Sequence, residues 1–205
     1  MTGATDTLVY GVYVTETDKR ILDAATDLLL SSGSDAVTMR RVAAVVGVTP
    51  MALYRYFPGR EALLRRLADD QFQAVARRWG REPLPGDPTE SGHAIVDLFV
   101  DLALDNPGLF AFLFIEKRPG ARRFPGDFAD DASPTFALMR GFIAKSVEEG
   151  VIRPMEPWQL ALTVTALIHG MTQLYVNQRV DVSPEEFRRL CHQSMELLLN
   201  GILEK

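Results

Sequence analysis

The sequence predicts an all-helical protein with two domains, and three patterns support this prediction. Apolar residues recur every three or four positions through most of the 205 residues, which is the spacing of one face of an α-helix. A proline-rich break at residues 81–88 divides the chain. Proline also follows a residue that can cap a helix at several places, and this pairing marks a helix start. The pairs are Thr49-Pro50, Asp87-Pro88, Asn106-Pro107, Ser133-Pro134 and Ser183-Pro184, and Pro157 marks a further start.

The first domain is predicted to span residues 15–79 and to follow an arm at residues 1–14. The arm alternates weakly, as a strand does, but no partner strand is evident elsewhere in the sequence, so we predict a flexible arm. A helix is expected from Thr15 to Ser32, because Thr15 and Asp18 have the spacing of a capping box. A longer helix is expected from Arg60 to about Trp79.

Residues 37–57 predict two short helices that are separated by a tight turn. Thr38 is a good N-cap for the first helix, and Gly47 stands where a helix ends in the left-handed region. Thr49 then caps a second helix, which we predict to be two turns long and to be anchored by Leu53 and Phe57. The remaining side chains of the second helix would face outward or lie at its edges. They are Pro50, Met51, Ala52, Tyr54, Arg55 and Tyr56.

An exposed short helix of this kind suits the major groove of DNA, which admits one helix and meets the residues at its N-terminus. The same spacing also occurs in an ordinary αα-hairpin, in which the tyrosines would be packing residues. Spacing alone leaves both interpretations open.

The motif Thr38-x-Arg40-x-Val42-Ala43-x-x-x-Gly47-Val48-Thr49-x-x-x-Leu53-Tyr54-x-Tyr56-Phe57-x-x-Arg60-Glu61-x-Leu63-Leu64 resembles the DNA-binding signature of the TetR family of repressors. The resemblance runs from about Thr17 to Leu67. Members usually carry Lys where this chain has Arg60, and the charge is kept. The resemblance implies a sequence-specific DNA-binding transcriptional regulator, most often a repressor.

The charge distribution agrees with that implication, although the net charge is −5. Residues 38–66 contain six arginines and one glutamate, so that window carries +5 and the rest of the chain carries −10. A basic head can bind phosphate, while an acidic body resists non-specific binding to DNA.

We predict two groups of DNA contacts on double-stranded DNA, at a near-palindromic operator. The residues expected to read base edges are Arg40, Pro50, Met51, Ala52 and Arg55. The residues expected to contact phosphates are Thr38, Thr49, Tyr54, Tyr56 and Arg60.

The second domain, residues 87–205, is predicted to be a helical bundle that binds an effector and dimerises. Helices at about 157–178 and 184–203 carry an apolar arc that is wider than one stripe, which indicates contacts on two sides. In the family that this chain resembles, the corresponding pair forms a four-helix interface, so we expect a homodimer. The alternative is that these two helices are deeply buried inside the bundle of a single chain. Residues 117–132 contain many helix breakers and are predicted to be a mobile loop that connects two helices or gates a pocket.

Two stretches, Leu102–Phe114 and Ala166–Met171, resemble one subgroup of TetR effector domains. That subgroup usually has Trp-His-Gly where this chain has Ile168-His169-Gly170. Helical repressors need a mostly apolar cavity, which suggests an apolar or aromatic small-molecule effector. The candidate lining residues, each of which could instead be ordinary core, are Phe110, Phe114, Met139, Phe142, Trp158, His169 and Gln173.

The sequence carries no catalytic set, and we expect neither an enzyme nor a metal or cofactor site. His93, His169 and His192 are scattered, and neighbours in a helix such as Cys191 and His192 point to different faces. The single cysteine fits a reducing compartment, and the sequence has neither a signal peptide nor a membrane-spanning segment, so we expect a cytoplasmic protein. Two rival functions remain: a regulator controlled by expression or a partner protein, and a helical bundle that sequesters a ligand without a role on DNA.

Overall fold

A computed structural model of the protein describes residues 7–9, 12–81, 84–129 and 133–202. These residues form ten α-helices and one short hairpin, so the predicted all-helical fold is confirmed. The chain divides into two compact units. Unit 1 contains residues 1–70 and 116–121, and unit 2 contains residues 71–115 and 122–205.

The hairpin lies at the start of unit 1. Strand β1 (Thr7–Val9) pairs with β2 (Val12–Val14) in antiparallel register, with Leu8 opposite Tyr13. The expectation that this stretch has no partner strand is therefore wrong, because the partner lies within the same alternating run. Residues 1–6, 10 and 11, which belong to the predicted flexible arm, lie outside the described residues.

The helices of unit 1 begin where the sequence predicts, and the first two also end where it predicts. They are α1 (Glu16–Ser32), a 3-10 turn (Ser34–Ala36), α2 (Met39–Val46), α3 (Pro50–Leu53) and the first half of α4 (Arg60–Trp79). The capping box of α1 is present: the Asp18 N–H donates to Thr15 Oγ1 over 3.2 Å, and the Thr15 N–H donates to Asp18 Oδ2 over 2.9 Å. These bonds satisfy backbone donors that the first turn leaves without partners.

Unit 2 contains the end of α4 and the remaining helices, all of which begin at predicted starts except α7. They are α5 (Pro88–Asp105), α6 (Pro107–Phe110), which continues as a π-helical turn (Ala111–Ile115), α7 (Gly126–Ala129), α8 (Pro134–Glu148), α9 (Pro157–Val176) and α10 (Pro184–Asn200). Proline occupies the first helical position at all five predicted starts in this unit. Because α4 is continuous to Trp79, we keep the boundary of the folding domains at about residues 79–87 as a proposal.

The predicted loop at residues 117–132 differs from the structure in one respect. Residues Gly126–Ala129 form α7, a single helical turn, where the helix breakers predicted a loop. The Asp127 carboxylate accepts a 2.7 Å hydrogen bond from the Arg123 N–H beside this turn. Such a side-chain bond satisfies a backbone donor and compensates for the nearby prolines and glycines. Residues 130–132 lie outside the described residues.

Helices α5 and α10 pack closely in unit 2. A Cβ atom on Gly92 would lie 2.8 Å from Met195 Cγ, so glycine permits the close approach of the two helices. Arg188 donates to Asp97 and Asp101 over 2.6 Å each, and His192 bonds Asp97 over 2.9 Å. The two helices are thus held by an apolar contact and by a polar network.

Among the described residues, no single helix has both the length and the apolar character needed to cross a membrane. One pair, α5 with the run Pro107–Ile115, meets those two criteria only when its members are joined across a 114° bend.

Candidate functional site

The turn between α2 and α3 is built by local hydrogen bonds. Thr38 Oγ1 accepts from the Arg41 N–H and Thr49 Oγ1 accepts from the Ala52 N–H, each over 3.2 Å. Gly47 lies in the left-handed region at φ 78°, and its N–H donates to the Ala43 carbonyl over 3.0 Å. A side chain other than glycine would be strained at this φ. The predicted helix-turn-helix geometry is therefore present.

The second helix of the motif is shorter than predicted. Helix α3 is one turn, Pro50–Leu53, whereas we expected two turns. The chain tightens after it, since the Arg55 N–H bonds the Ala52 carbonyl and the Tyr56 N–H bonds the Leu53 carbonyl, three residues back in each case. Pro58 and Gly59 follow at once and cannot extend the helix. Arg55 thus lies in the turn that follows α3.

The side chains around α3 divide into an inner and an outer set. Leu53 is fully buried and Phe57 is 8% exposed, as expected of anchors. Met51 is 77% exposed and Tyr54 49%, and Arg40, Pro50 and Arg55 are also exposed. Ala52 and Thr38 are half-buried, and Thr49 and Tyr56 are exposed. Most of the residues predicted to contact DNA therefore lie on the surface of unit 1.

Arg60 has a structural role that the sequence did not predict. Its Nε donates to the Val37 carbonyl and its Nη2 to the Ser34 carbonyl, each over 2.8 Å. The guanidinium thereby fixes the connection between α1 and α2. The other N–H groups of the Arg60 guanidinium take no part in these two bonds, so its predicted contact with a phosphate stays a prediction.

Replacing Arg60 with methionine is expected to destabilise unit 1 by about 1–2 kcal/mol, because the Val37 and Ser34 carbonyls lose a charged donor. Arg60→Lys should lose less, since an ammonium group can reach one carbonyl but not both in the same fork. Urea unfolding of the three proteins measures the difference. Equal stability of wild type and Arg60→Met would contradict this role.

Two further contacts in unit 1 join residues that are far apart in sequence. Arg20 Nη2 donates to the Val46 carbonyl at the end of α2 over 2.8 Å, where a cation also meets the negative end of the helix dipole. Ser34 Oγ donates to Glu116 Oε2 over 2.6 Å. No short motif signals either pair, because the partners are 26 and 82 residues apart.

The seven predicted effector residues fall into separate places in unit 2. Met139 and Phe142 line an apolar cavity of about 250 Å³. Phe110, Phe114 and His169 belong to an aromatic cluster. Trp158 is 43% exposed and lies beside Phe124, and Gln173 lies in a shallow surface groove. The described residues that line the cavity with Met139 and Phe142 are Trp79, Gly80, Leu84, Ile95, Leu98, Phe99, Thr135 and Leu138.

The aromatic cluster surrounds His169. Its ring centroid lies 4.7 Å from that of Phe114, 5.2 Å from Phe99 and 6.0 Å from Phe110. Its Nε2 is buried and has no hydrogen-bond partner among the described residues, and the same holds for Thr172 Oγ1. Burial lowers the pKa of His169 to about 4, because the charged imidazolium loses its hydration. His169 is therefore a neutral ring at pH 7.

Cys191 is buried, and burial raises the pKa of its thiol to about 12, so it is not a nucleophilic thiolate at pH 7. Within the described ranges, no group of three or more His, Cys, Asp or Glu side chains could hold a metal ion.

Two family models match the chain, one in its N-terminal part and one in its C-terminal part. The model for bacterial regulatory proteins of the tetR family matches residues 21–67. A second model, described as the tetracyclin repressor-like C-terminal domain, matches residues 93–198, which is more than half of the chain.

Curated relatives match over shorter ranges. The chain is 32% identical over 120 residues to the nucleoid occlusion factor SlmA of Mannheimia succiniciproducens, covering 53% of this chain and 54% of that protein. It is 40% identical over 75 residues to the HTH-type transcriptional repressor KstR of Rhodococcus jostii, covering 37% of this chain and 35% of that repressor. The chain thus spans about half of SlmA and about a third of KstR.

Solved structures share the fold over almost the whole chain. A protein with unknown function from Rhodococcus sp. RHA1 has a TM-score of 0.76 at 21% identity and covers 96% of this chain and 100% of its own. The regulator FadR from Bacillus subtilis, solved in complex with stearoyl-CoA, has a TM-score of 0.67 at 16% identity and covers 90% of this chain and 98% of its own. At these identities the likeness concerns the fold alone. The similarity to the Trp-His-Gly subgroup stays a prediction.

Proposed function

We propose a function on the basis that the chain belongs to the TetR family of bacterial regulatory proteins. The protein is a DNA-binding transcriptional regulator that represses its target genes from a near-palindromic operator in the cytoplasm. The observation that carries this proposal is the exposed surface of α3 and the turn after it, which the buried Leu53 holds within the arginine-rich stretch at residues 38–66. The similarity to KstR, a transcriptional repressor, supports repression.

In this proposal, α3 enters the major groove. Met51 and Ala52 meet thymine methyl groups, Pro50 packs at the groove, and Arg40 and Arg55 donate to guanine edges. Thr38, Thr49, Tyr54, Tyr56 and Arg60 set the register on phosphates. Since α3 is one turn long, its N-terminal residues and the following turn carry the base contacts, and the flanking groups position them.

We further propose a homodimer that forms through α9 and α10. On α9, Ala166, Gly170 and Leu174 are exposed at intervals of four residues, which places them on one stripe. On α10, Leu197 is 76% exposed. Covering these apolar groups with a second copy removes them from water. A two-fold axis then requires two half-sites about 34–36 Å apart, or a multiple of that distance.

The decisive experiment selects bound DNA from a random pool and then measures binding by variants. The wild type is expected to enrich a palindrome. Arg55→Ala should lose about 1–3 kcal/mol of affinity and relax specificity at one base position, because a bidentate contact to guanine is lost. Equal loss on the selected operator and on random DNA would contradict the role of Arg55 in base readout.

Tyr54→Phe is the matched control for this experiment. It keeps the ring and removes only the hydroxyl, so the variant should bind all sequences more weakly by a similar factor. A salt titration on the operator gives the number of phosphate contacts from its slope. Salt-dependent binding to a palindrome would also exclude the alternative of a ligand-sequestering bundle.

A small-molecule effector is the proposed release signal. FadR from Bacillus subtilis was solved in complex with stearoyl-CoA, so a protein of this fold can hold a small molecule. An effector that binds better to the DNA-free state lowers operator affinity, and by linkage DNA lowers effector affinity by the same factor. The cavity at Met139 and Phe142 is the proposed site, and the aromatic cluster at His169 is its neighbour through Phe99.

A further inference from the structure

We propose that the cavity between the end of α4, α5 and α8 selects a neutral, flat aromatic molecule of about two fused rings, and rejects acids and long acyl chains. The location as an effector site rests on the proposed function. The class of ligand rests on the dimensions and chemistry of the cavity itself.

The size of the cavity limits the ligand. An apolar cavity of ~150 Å³ holds one benzene molecule and stays free of water when empty. The cavity here measures about 250 Å³, which is room for roughly ten carbon atoms on that scale. A second apolar space of about 30 Å³ shares Ile95 and Phe142 with it but adds less than one ring. An eighteen-carbon chain such as that of stearoyl-CoA exceeds this space, so part of the chain would stay in water at the open side of the cavity.

The part of the lining that the structure describes offers no charged partner to a ligand. None of the described lining residues carries a charge, and their polar side-chain groups are the Thr135 hydroxyl and the indole N–H of Trp79. An ionised carboxylate placed here would lose its hydration without gaining a cation, which is strongly unfavourable. A phenol or a neutral ketone could instead form a hydrogen bond with one of the two polar groups.

The aromatic side chains of the lining favour an aromatic ligand. Trp79, Phe99 and Phe142 present aromatic surfaces, and the Trp79 and Phe99 ring centroids lie 4.5 Å apart. Met139 faces the same space, and its sulfur accepts a 3.7 Å hydrogen bond from the Thr165 hydroxyl, which orients the thioether. Offset ring stacking and contacts between sulfur and a ring edge both stabilise aromatic ligands more than saturated ones of equal area.

The test is calorimetric titration of the full-length protein, without DNA, with three probes. The first two share a ring system, and the last two are both negatively charged. These probes are 2-naphthol, 2-naphthoate and stearoyl-CoA. We expect saturable binding of 2-naphthol with one site per chain. Binding of 2-naphthoate should be at least about 30-fold weaker, because the same ring system then carries an anionic carboxylate in place of a neutral hydroxyl. Comparable binding of the two naphthalene derivatives, or preferential binding of stearoyl-CoA, overturns the proposal.

Cavity-filling variants locate the site. Met139→Trp should weaken 2-naphthol binding at least about tenfold by occupying its space. Leu30→Trp adds the same indole at an exposed position of α1, where Leu30 is 47% exposed, and should leave 2-naphthol binding unchanged. Leu98 is half-buried at the cavity, so Leu98→Trp fills the space with less risk to folding and should also weaken binding about tenfold. Unchanged binding in a folded Leu98→Trp protein overturns the assignment.

Operator binding is measured in parallel, so that two failures can be told apart. If the wild type binds its selected operator but does not bind 2-naphthol, the ligand class is wrong and the proposed regulator stands. If 2-naphthol binds as expected but no operator is enriched, the ligand class stands and the role on DNA is wrong.

Discussion

Leu53→Ala is expected to abolish operator binding while unit 2 keeps its ligand affinity. Leu53 is the buried residue of α3, and its side chain is fully removed from water. Truncating a buried leucine to alanine costs about 2–5 kcal/mol, from lost apolar burial and from the cavity that remains. Because α3 is a single turn with few hydrogen bonds of its own, it depends on this anchor to hold its exposed residues in place.

The measurement combines urea unfolding with operator binding, and Met51→Ala is the matched control. Met51 lies in the same turn but is 77% exposed, so its truncation should change stability by less than about 0.5 kcal/mol. It should still weaken operator binding moderately if Met51 meets a thymine methyl group. Full operator affinity in Leu53→Ala, or equal destabilisation by both substitutions, would contradict the role of Leu53 as the anchor.

The helix starts were predictable because their causes lie within four residues. A threonine or serine hydroxyl, an acceptor for the backbone N–H three residues later, and a proline that needs no donor are all visible in the sequence. Thr38, Thr49 and Ser183 each accept the expected bond. The predicted caps Asn106 and Ser133 make no side-chain capping bond, although their helices begin at the expected prolines. Gly47 adopts its predicted left-handed φ for an equally local reason, the absence of a Cβ atom.

The length of α3 was not predictable in the same way. The sequence after Leu53 is compatible with a second helical turn, and the outcome depends on how Tyr56 and Phe57 pack. Phe57 is buried, and the backbone reaches its position through a tightened turn. The energy difference between α-helical hydrogen bonds, which reach four residues back, and 3-10 hydrogen bonds, which reach three residues back, is small. Tertiary packing therefore decides which of them forms.

Sequence composition did not predict where the candidate effector residues lie relative to one another. Apolar periodicity identified Phe110, Met139, Phe142 and His169 as inward-facing, but it does not say which helices they face. In the structure they divide between the cavity and the aromatic cluster. Long-range contacts such as the one between Arg60 and Val37 are likewise set by packing, and no spacing rule predicts them.

Acidification is expected to lower the free energy of unfolding through protonation of His169. The loss reaches about 3 kcal/mol once the pH is below both the unfolded and the folded pKa. The pKa of His169 is lowered to about 4 in the folded chain, against about 6.5 for an exposed histidine. Between these two values the unfolded chain binds a proton that the folded chain does not bind. The free energy of unfolding therefore falls as the pH decreases from about 6.5 toward 4, and this contribution is fully present only above the unfolded pKa.

Urea unfolding at pH 7 and pH 5, for wild type and His169→Gln, measures this contribution. The wild type should lose about 2 kcal/mol more than the variant over that interval, since glutamine does not titrate and the carboxylates are shared by both proteins. The comparison also separates the two consequences of burying this ring. The packing of the His169 ring against Phe114 stabilises the cluster at every pH. The difference in proton binding between the folded and unfolded chains lowers stability only in acid. An equal loss in both proteins would show that His169 gains a proton without unfolding, and that its Nε2 reaches water or a partner in the folded state.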